Sequence, residues 1–331
     1  MRRALLVAAA LLAVHASAPL HAYQIYGVTV DGRVVELKWA AQPVRYYVSN
    51  RGVPGVSAED LRSAVSRAFA SWQGVAGSAA SAEFVGFTSA EPFDDDGRVT
   101  LGFLDRPDLD RVLGATSFLV DRVTGEIVES DIFFNSAFPW SVAGGGESAR
   151  FDLESIVLHE TGHLFGLGHS ALGETETISG GRRVIAAETV MFPIAFSPGT
   201  TTGRTPRADD AAGVSQLYPD PGIEEATGTI SGRVTRDGSG VFGAHVVAFN
   251  PKTGTLIGGF SVNSEGRFVI GRLDPGTYIL RAEPIDDADL DSFFDDVTGV
   301  DVDFRVSYHE GLVIVPKGGG APEVEIKVAA K

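Results

Sequence analysis

The sequence predicts a two-part chain, an α+β unit followed by an all-β one. Three observations carry this. Over about residues 23–219, strand-like runs are interleaved with runs whose apolar residues recur every three or four positions. The segment YPDPGIEEATGT, Tyr218 to Thr229, is rich in Pro, Gly and Glu and breaks both patterns. Beyond it, short apolar runs alternate with the turn signals DG, KTG, SEG and DPG. The expected organisation is a leader at 1–22, an α+β unit at 23–219, a linker at 220–227 and a β unit at 228–331. A length of 331 residues is enough for two such units.

The chain opens on Arg2 and Arg3, and Ala, Leu and Val dominate residues 4–14. Small-residue exits follow at Ala16–Ala18 and Leu20–Ala22. This is the pattern of an export signal, too short to span a bilayer. Cleavage is expected after Ala22, because a cut after Ala18 would lie beside Pro19. Val44–Val48 reads as a strand. Ser57–Trp72 reads as a helix: Ser57 and Asp60 resemble a capping box, and Leu61, Val65, Ala68, Phe69 and Trp72 recur at helical spacing. Glu83–Thr88, Arg98–Leu104 and Leu113–Val120 read as strands. The last turns through Val123–Glu126 into a strand at Ile127–Asn135. A second helix covers FDLESIVLHETGHLFG, with Asp152 as its N-cap and Glu154 in its first turn. Ser170 to Met191 reads as a long loop with a mobile Ser179–Arg183 tip. A third helix, TPRADDAAGVSQLY, is expected to take Thr205 as its cap and Pro206 as its first residue.

Composition removes several chemistries. A formal net charge of -16 argues against a nucleic-acid partner, which needs clustered Lys and Arg. With no cysteine, disulfides, Cys-ligated metals and a thiol nucleophile are excluded. No run after the leader is long and apolar enough for a bilayer span, so no stable membrane insertion is expected once the leader is cut.

The densest chemistry is HETGHLFGLGH, His159 to His169. His159 and His163 stand four apart, on one helix face about one turn from each other. Both imidazoles can reach one ion. Three histidines with an open fourth position form a catalytic zinc arrangement. The third must approach from another side, and Gly166 suits a left-handed helix end that turns the chain back to His169. Glu160 leaves the helix beside these ligands. It could take a proton from a water that zinc has acidified to a pKa of roughly 7 and pass it to the leaving amine. By average usage, the two glycine and histidine additions lower the chance of coincidence from about one in a hundred to roughly one in a hundred thousand. A structural or inactive zinc site remains the alternative, against which stand Glu160 and the three-ligand count. Of the seven histidines, His15 and His21 lie in the leader, and His245 and His309 read as ordinary residues of the β unit.

This eleven-residue pattern resembles the zinc signature of the metzincins. Ser170 after the third histidine, and TVMFP (Thr189–Pro193) as a Met-turn with Met191 and Pro193, are similar to the matrixins, the matrix-metalloprotease-like family. RADDAAGVSQLY resembles the family's last helix. The resemblance spans about residues 36–219. It implies a twisted mixed five-stranded sheet with three helices, zinc on His159, His163 and His169, and Glu160 as general base. It also implies a polypeptide substrate paired with an edge strand. LGATSFLV is the candidate, with Gly114 and Ala115 near the metal, although plain sheet structure explains the same run. The sequence departs from the family in three ways. It has no cysteine switch, and residues 23–43 are too few for a family-type prodomain. Extra residues precede the core, which bears on whether Asp209 or Asp210 holds a mature N-terminus. Ala195 stands where relatives often have a tyrosine, so the specificity pocket should differ. Relatives often bind structural Ca2+. Asp94, Asp95, Asp96 and Asp131 offer oxygens for it, but no calcium-loop spacing is met, and a solvated acidic turn is the preferred reading.

The β unit resembles a carboxypeptidase regulatory-like domain, a transthyretin-like sandwich, in its G-x-V opening and its G-x-F…L-x-P-G-x-Y run. That implies no catalysis, but leaves it a candidate binder of a surface polymer or partner protein. Asp286–Phe304 is an acidic segment that reads as a solvated loop or as a calcium or partner site. The expected function is that of a zinc metalloendopeptidase, secreted or periplasmic. The alternative is a non-catalytic zinc-containing surface or adhesion protein.

Overall fold

The computed structural model describes residues 5–6, 25–30, 33–179, 181–294 and 296–331. The expected leader, 1–22, lies outside the described residues apart from Leu5 and Leu6. The first unit is built on a mixed sheet of five strands: β1 (Val44–Ser49), β2 (Ala82–Thr88), β3 (Val99–Leu104), β4 (Gly114–Thr116) and β5 (Ile132–Asn135). Their order is β2-β1-β3-β5-β4. The first four are mutually parallel, and β4 alone runs antiparallel, at the edge.

Helix α1 (Ala58–Gln73) starts at the capping box expected of Ser57, whose hydroxyl accepts from Asp60 N while Asp60 accepts from Ser57 N. Its stripe Leu61, Ala64, Val65, Ala68, Phe69 and Trp72 is buried, and the Phe69 ring lies 4.5 Å from that of Tyr46 on β1. Trp72 carries the contact onward. Its Nε1–H donates to Leu158 O at 3.0 Å and to Thr161 Oγ1 at 3.1 Å, tying α1 to α2 (Leu153–Leu164). As expected, Asp152 caps α2, accepting from Ser155 N at 3.0 Å.

Four expectations need correction. The strands at Leu113–Val120 and Ile127–Asn135 each break in two, leaving Phe118–Val120 paired with Ile127–Glu129 in a separate ladder. Asp131 causes the break. Its carboxylate turns inward and accepts from Thr100 N at 2.7 Å and Phe93 N at 2.5 Å, while Ser117 N donates to its carbonyl. Of the other acidic candidates in that region, Asp94 accepts from Glu91 N and Asp96 from Arg98 N. The long loop after Ser170 is a hairpin, Gly173–Ile178 against Gly181–Ala187, because Val184 and Ala187 find apolar cover in the β unit. Helix α3 (Ala208–Leu217) begins after Arg207, not at Thr205–Pro206. The Asp210 carboxylate accepts from Arg207 N at 2.7 Å and so fixes the start there. The segment read as a linker is pinned: Tyr218 is buried, Asp220 N donates to Gly77 O at 3.0 Å, and Ile223–Ala226 forms one helical turn.

Residues from 228 on form two five-stranded sheets. One is centred on β6 (Gly228–Arg236), flanked by β9 (Arg267–Leu273) and Val324–Lys327. The other places β7 (His245–Phe249) between β8 (Leu256–Phe260) and β10 (Gly276–Glu283). Ile230, Val234, Phe268 and Ile270 from the first and Val246, Ala248, Leu280 and Ala282 from the second share one apolar core. Among the described residues, no helix is long and apolar enough to cross a membrane.

Burial pushes the Asp131 carboxyl up to about 7, although its two N–H bonds pull the other way. A carboxyl raised on folding stabilises the fold below its unfolded value of roughly 4, and that contribution is lost as pH rises through the folded value. Asp131→Asn gives up one N–H acceptor and should unfold at lower urea. Its deficit against the parent chain should shrink between about pH 5 and pH 8. Urea midpoints across that range check the sign, and a deficit that widens with pH contradicts it.

Candidate metal centre

Helix α2 delivers His159, Glu160 and His163 from its last two turns. It ends where Gly166 adopts φ +102°, and Leu167 N then donates to Gly162 O. A side chain at 166 would be strained, and its Cβ would sit 2.2 Å from Leu37 O. The reversal brings His169 back toward the helix. The ligating nitrogens of His159, His163 and His169 all lie within 4.8 Å of one another. His163 Nε2 is 3.1 Å from His159 Nε2 and 3.2 Å from His169 Nε2.

What holds the rings decides their chemistry. His159 Nδ1 meets Val190 O at 2.8 Å, His163 Nδ1 meets Leu167 O at 2.7 Å, and His169 Nδ1 meets Ser292 O at 2.8 Å. A carbonyl can only accept, so each Nδ1 carries the proton and each Nε2 presents a lone pair. Three lone pairs facing one another repel unless a cation lies between them. This donor set fits a zinc ion, for which the outer bond of each imidazole fixes tautomer and aim. Burial lowers the pKa of all three rings, that of His169 to about 3 and that of His163 well below its ordinary value, so they stay neutral and ready to ligate.

The Thr189–Pro193 segment is braced from two sides. Met191 is buried, and its Sδ lies 2.4 Å from where a Cβ on Gly162 would stand, so that glycine makes room for it under α2. Met191 O accepts from Ser170 N at 3.0 Å, joining the turn to the residue after the third histidine. Asp210 accepts from Val190 N at 2.9 Å and from the Thr189 hydroxyl. Asp209 takes the Ser170 hydroxyl at 2.6 Å and Gly258 N of β8 at 2.9 Å. Asp210 therefore holds the Thr189–Met191 backbone, and Asp209 ties the residue after His169 to the β unit.

Glu160 is 5% exposed and points toward β4. Thr116 Oγ1 donates to its Oε2 at 2.7 Å. A Cβ on Gly114 would come within 3.3 Å of its Oε1. Burial lifts its carboxyl to about 7, and the Thr116 bond acts against that. Gly114 thus lies beside the Glu160 carboxyl, whereas Ala115 is buried and faces the other side of the strand. After Pro193, Ile194 and Phe196 pack on a cluster containing Phe192, Phe260, Ile285 and Phe293, so this stretch touches the β unit. Thr116 and Ser292 were not among the expected site residues. Thr116 has a signal, since it follows Gly114 by two and shares its face. Ser292 contributes only a main-chain carbonyl and has none.

Residues 38–219, more than half of the chain, match the matrixin family of M10 peptidases. Two relatives come from Arabidopsis thaliana. Metalloendoproteinase 2-MMP is 30% identical over 173 residues, covering 48% of this chain and 37% of its own. Metalloendoproteinase 1-MMP is 28% identical over 194 residues, covering 56% and 45%. The chain spans less than half the length of either. Among solved structures, the Bacillus anthracis TIE protein is 12% identical, with a TM-score of 0.23 over 32% of this chain and 17% of its own.

Replacing Gly166 with alanine should destabilise the chain by about 1–3 kcal/mol, through the positive φ and the Leu37 carbonyl. It should also weaken zinc binding, because His169 depends on the reversal. Thermal melting with and without zinc measures both effects.

Proposed function

Because the chain belongs to the matrixin family, we propose that it is a zinc-dependent endopeptidase, with zinc held by His159, His163 and His169 and Glu160 as general base. The observation that carries this is the convergence of three imidazole Nε2 atoms, two of them from the helix that also carries the buried Glu160. Zinc bound there supplies a Lewis acid that polarises a peptide carbonyl and acidifies water.

The residues divide the remaining work. Glu160 accepts a proton from the attacking water and returns it to the departing amine, so the peptide bond breaks with no net proton change. Thr116 holds Oε2 in place, leaving Oε1 on the Gly114 side as the acceptor. Among the described residues β4 pairs with one strand, β5, and its outer edge is the one an extended peptide would pair with. Gly114, without a side chain, lets that peptide approach the acid closely. The family's zinc requirement and the names of the two relatives support proteolysis as the activity. The leader-like start supports export to the periplasm or medium, and residues 228–331 serve as an accessory β-sandwich.

Glu160→Gln should retain zinc and lose proteolysis by at least roughly a hundredfold. The checks are metal content and cleavage of casein with and without a chelator. Wild-type turnover in this variant would sink the mechanism, and an absence of chelator-sensitive cleavage in the parent would favour a non-catalytic binding protein. Thr116→Val frees one oxygen of the base, and is expected to lower kcat more than it changes KM for a short peptide.

A further inference from the structure

The third histidine and the residue after it are each attached to the β unit. His169 Nδ1 meets the carbonyl of Ser292, and Ser170 is linked through Asp209 to Gly258 N. Ser292 ends a short turn, Leu290–Ser292, that is seated at both ends. On one side, the buried Phe293 ring packs 5.6 Å from that of Phe260, in the cluster that also takes Phe192 next to Met191. On the other, Asp287 accepts from Thr175 N at 2.5 Å, and its carbonyl accepts the Thr175 hydroxyl at 2.9 Å. The other two imidazoles find their carbonyls, Val190 and Leu167, within the residues that match the family. The carbonyl for His169 lies outside them.

We propose that the β unit is part of the metal centre: the turn Leu290–Ser292 positions His169 through the Ser292 carbonyl, and zinc affinity depends on that turn. This rests on the reading that the three histidines hold zinc. Ser292 is a positioning residue and touches neither metal nor substrate. Without its carbonyl, the His169 ring could rotate or take the other tautomer, and the third lone pair would lose its aim. Loss of such an outer partner typically weakens metal binding by about 10–100-fold. The acidic segment Asp286–Phe304 thus acquires a task. Asp287 anchors the turn, and Phe293 wedges it against the sheet.

Two variants of the full chain test this from opposite ends of the turn. Phe293→Ala removes the wedge, and Asp287→Ala removes the anchor without opening a core. Each should raise the zinc Kd, measured by competition with a chromophoric chelator, by about tenfold or more. Each should also change the visible spectrum of the cobalt-substituted protein, which reports the ligand field and not folding. Circular dichroism confirms that the fold is kept. Should Phe293→Ala unfold, Asp287→Ala alone decides. Unchanged zinc Kd and cobalt spectrum in a folded variant overturn the proposal while the parent still holds one zinc. A parent that holds no zinc overturns the zinc reading and this proposal together. Faster cleavage at unchanged zinc affinity also overturns it, since the turn would then be an obstruction.

Discussion

Three bonds from imidazole Nδ1 to a main-chain carbonyl, at Val190, Leu167 and Ser292, are what the rest of the structure serves. Each carbonyl comes from a different piece of chain: the Met-turn, the end of α2 and the β unit. An imidazole has two nitrogens, and only the partner of one decides which way the other looks. The carbonyls must therefore be rigid, and the architecture supplies the rigidity. Asp210 gathers the Thr189–Met191 backbone, Gly166 permits the reversal that exposes the Leu167 carbonyl, and Asp287 with Phe293 seats Ser292.

Behind the rings, a single apolar column runs from the sheet to the metal loop. Tyr46 on β1 meets Phe69 on α1, Trp72 one turn later reaches α2, and Gly162 rests on Met191. Gly162 cannot acquire a Cβ without displacing the methionine sulfur or Trp72. Close packing here transmits position: a shift of α1 would move the helix that carries His159, Glu160 and His163.

What was legible in the sequence is what depends on neighbours in sequence. His159 and His163 need only one helical turn, Gly166 only the local reversal, and Ser57 and Asp152 only three residues downstream. The closeness of Gly114 to Glu160, in contrast, joins residues 46 apart and has no local signal. The misreadings share another cause. The break at Ser117 and Asp131 depends on Phe93 and Thr100, which a strand pattern does not reveal. The hairpin after Ser170 finds its apolar cover in residues distant in sequence, Phe260, Ile285 and Phe293 of the β unit, together with Phe192. Helix α3 starts late because a carboxylate inside it competes with Thr205 as the cap. Ser292 lies 123 residues from the ring it serves and acts through a group that every residue carries.

The open outer edge of β4 has a consequence for the chain in company with copies of itself. An unpaired strand edge can take up any extended chain, including another molecule's edge, and such edges seed aggregation. Here the hazard is kept small by brevity. Only Gly114–Thr116 is presented before the break at Ser117 carries the backbone out of the sheet. Three residues give too few hydrogen bonds to hold two folded proteins together, and a net charge of -16 sets copies against each other. The kink that shortens the ladder therefore also sets a threshold: pairing at this edge alone is too brief to hold a rigid neighbouring sheet.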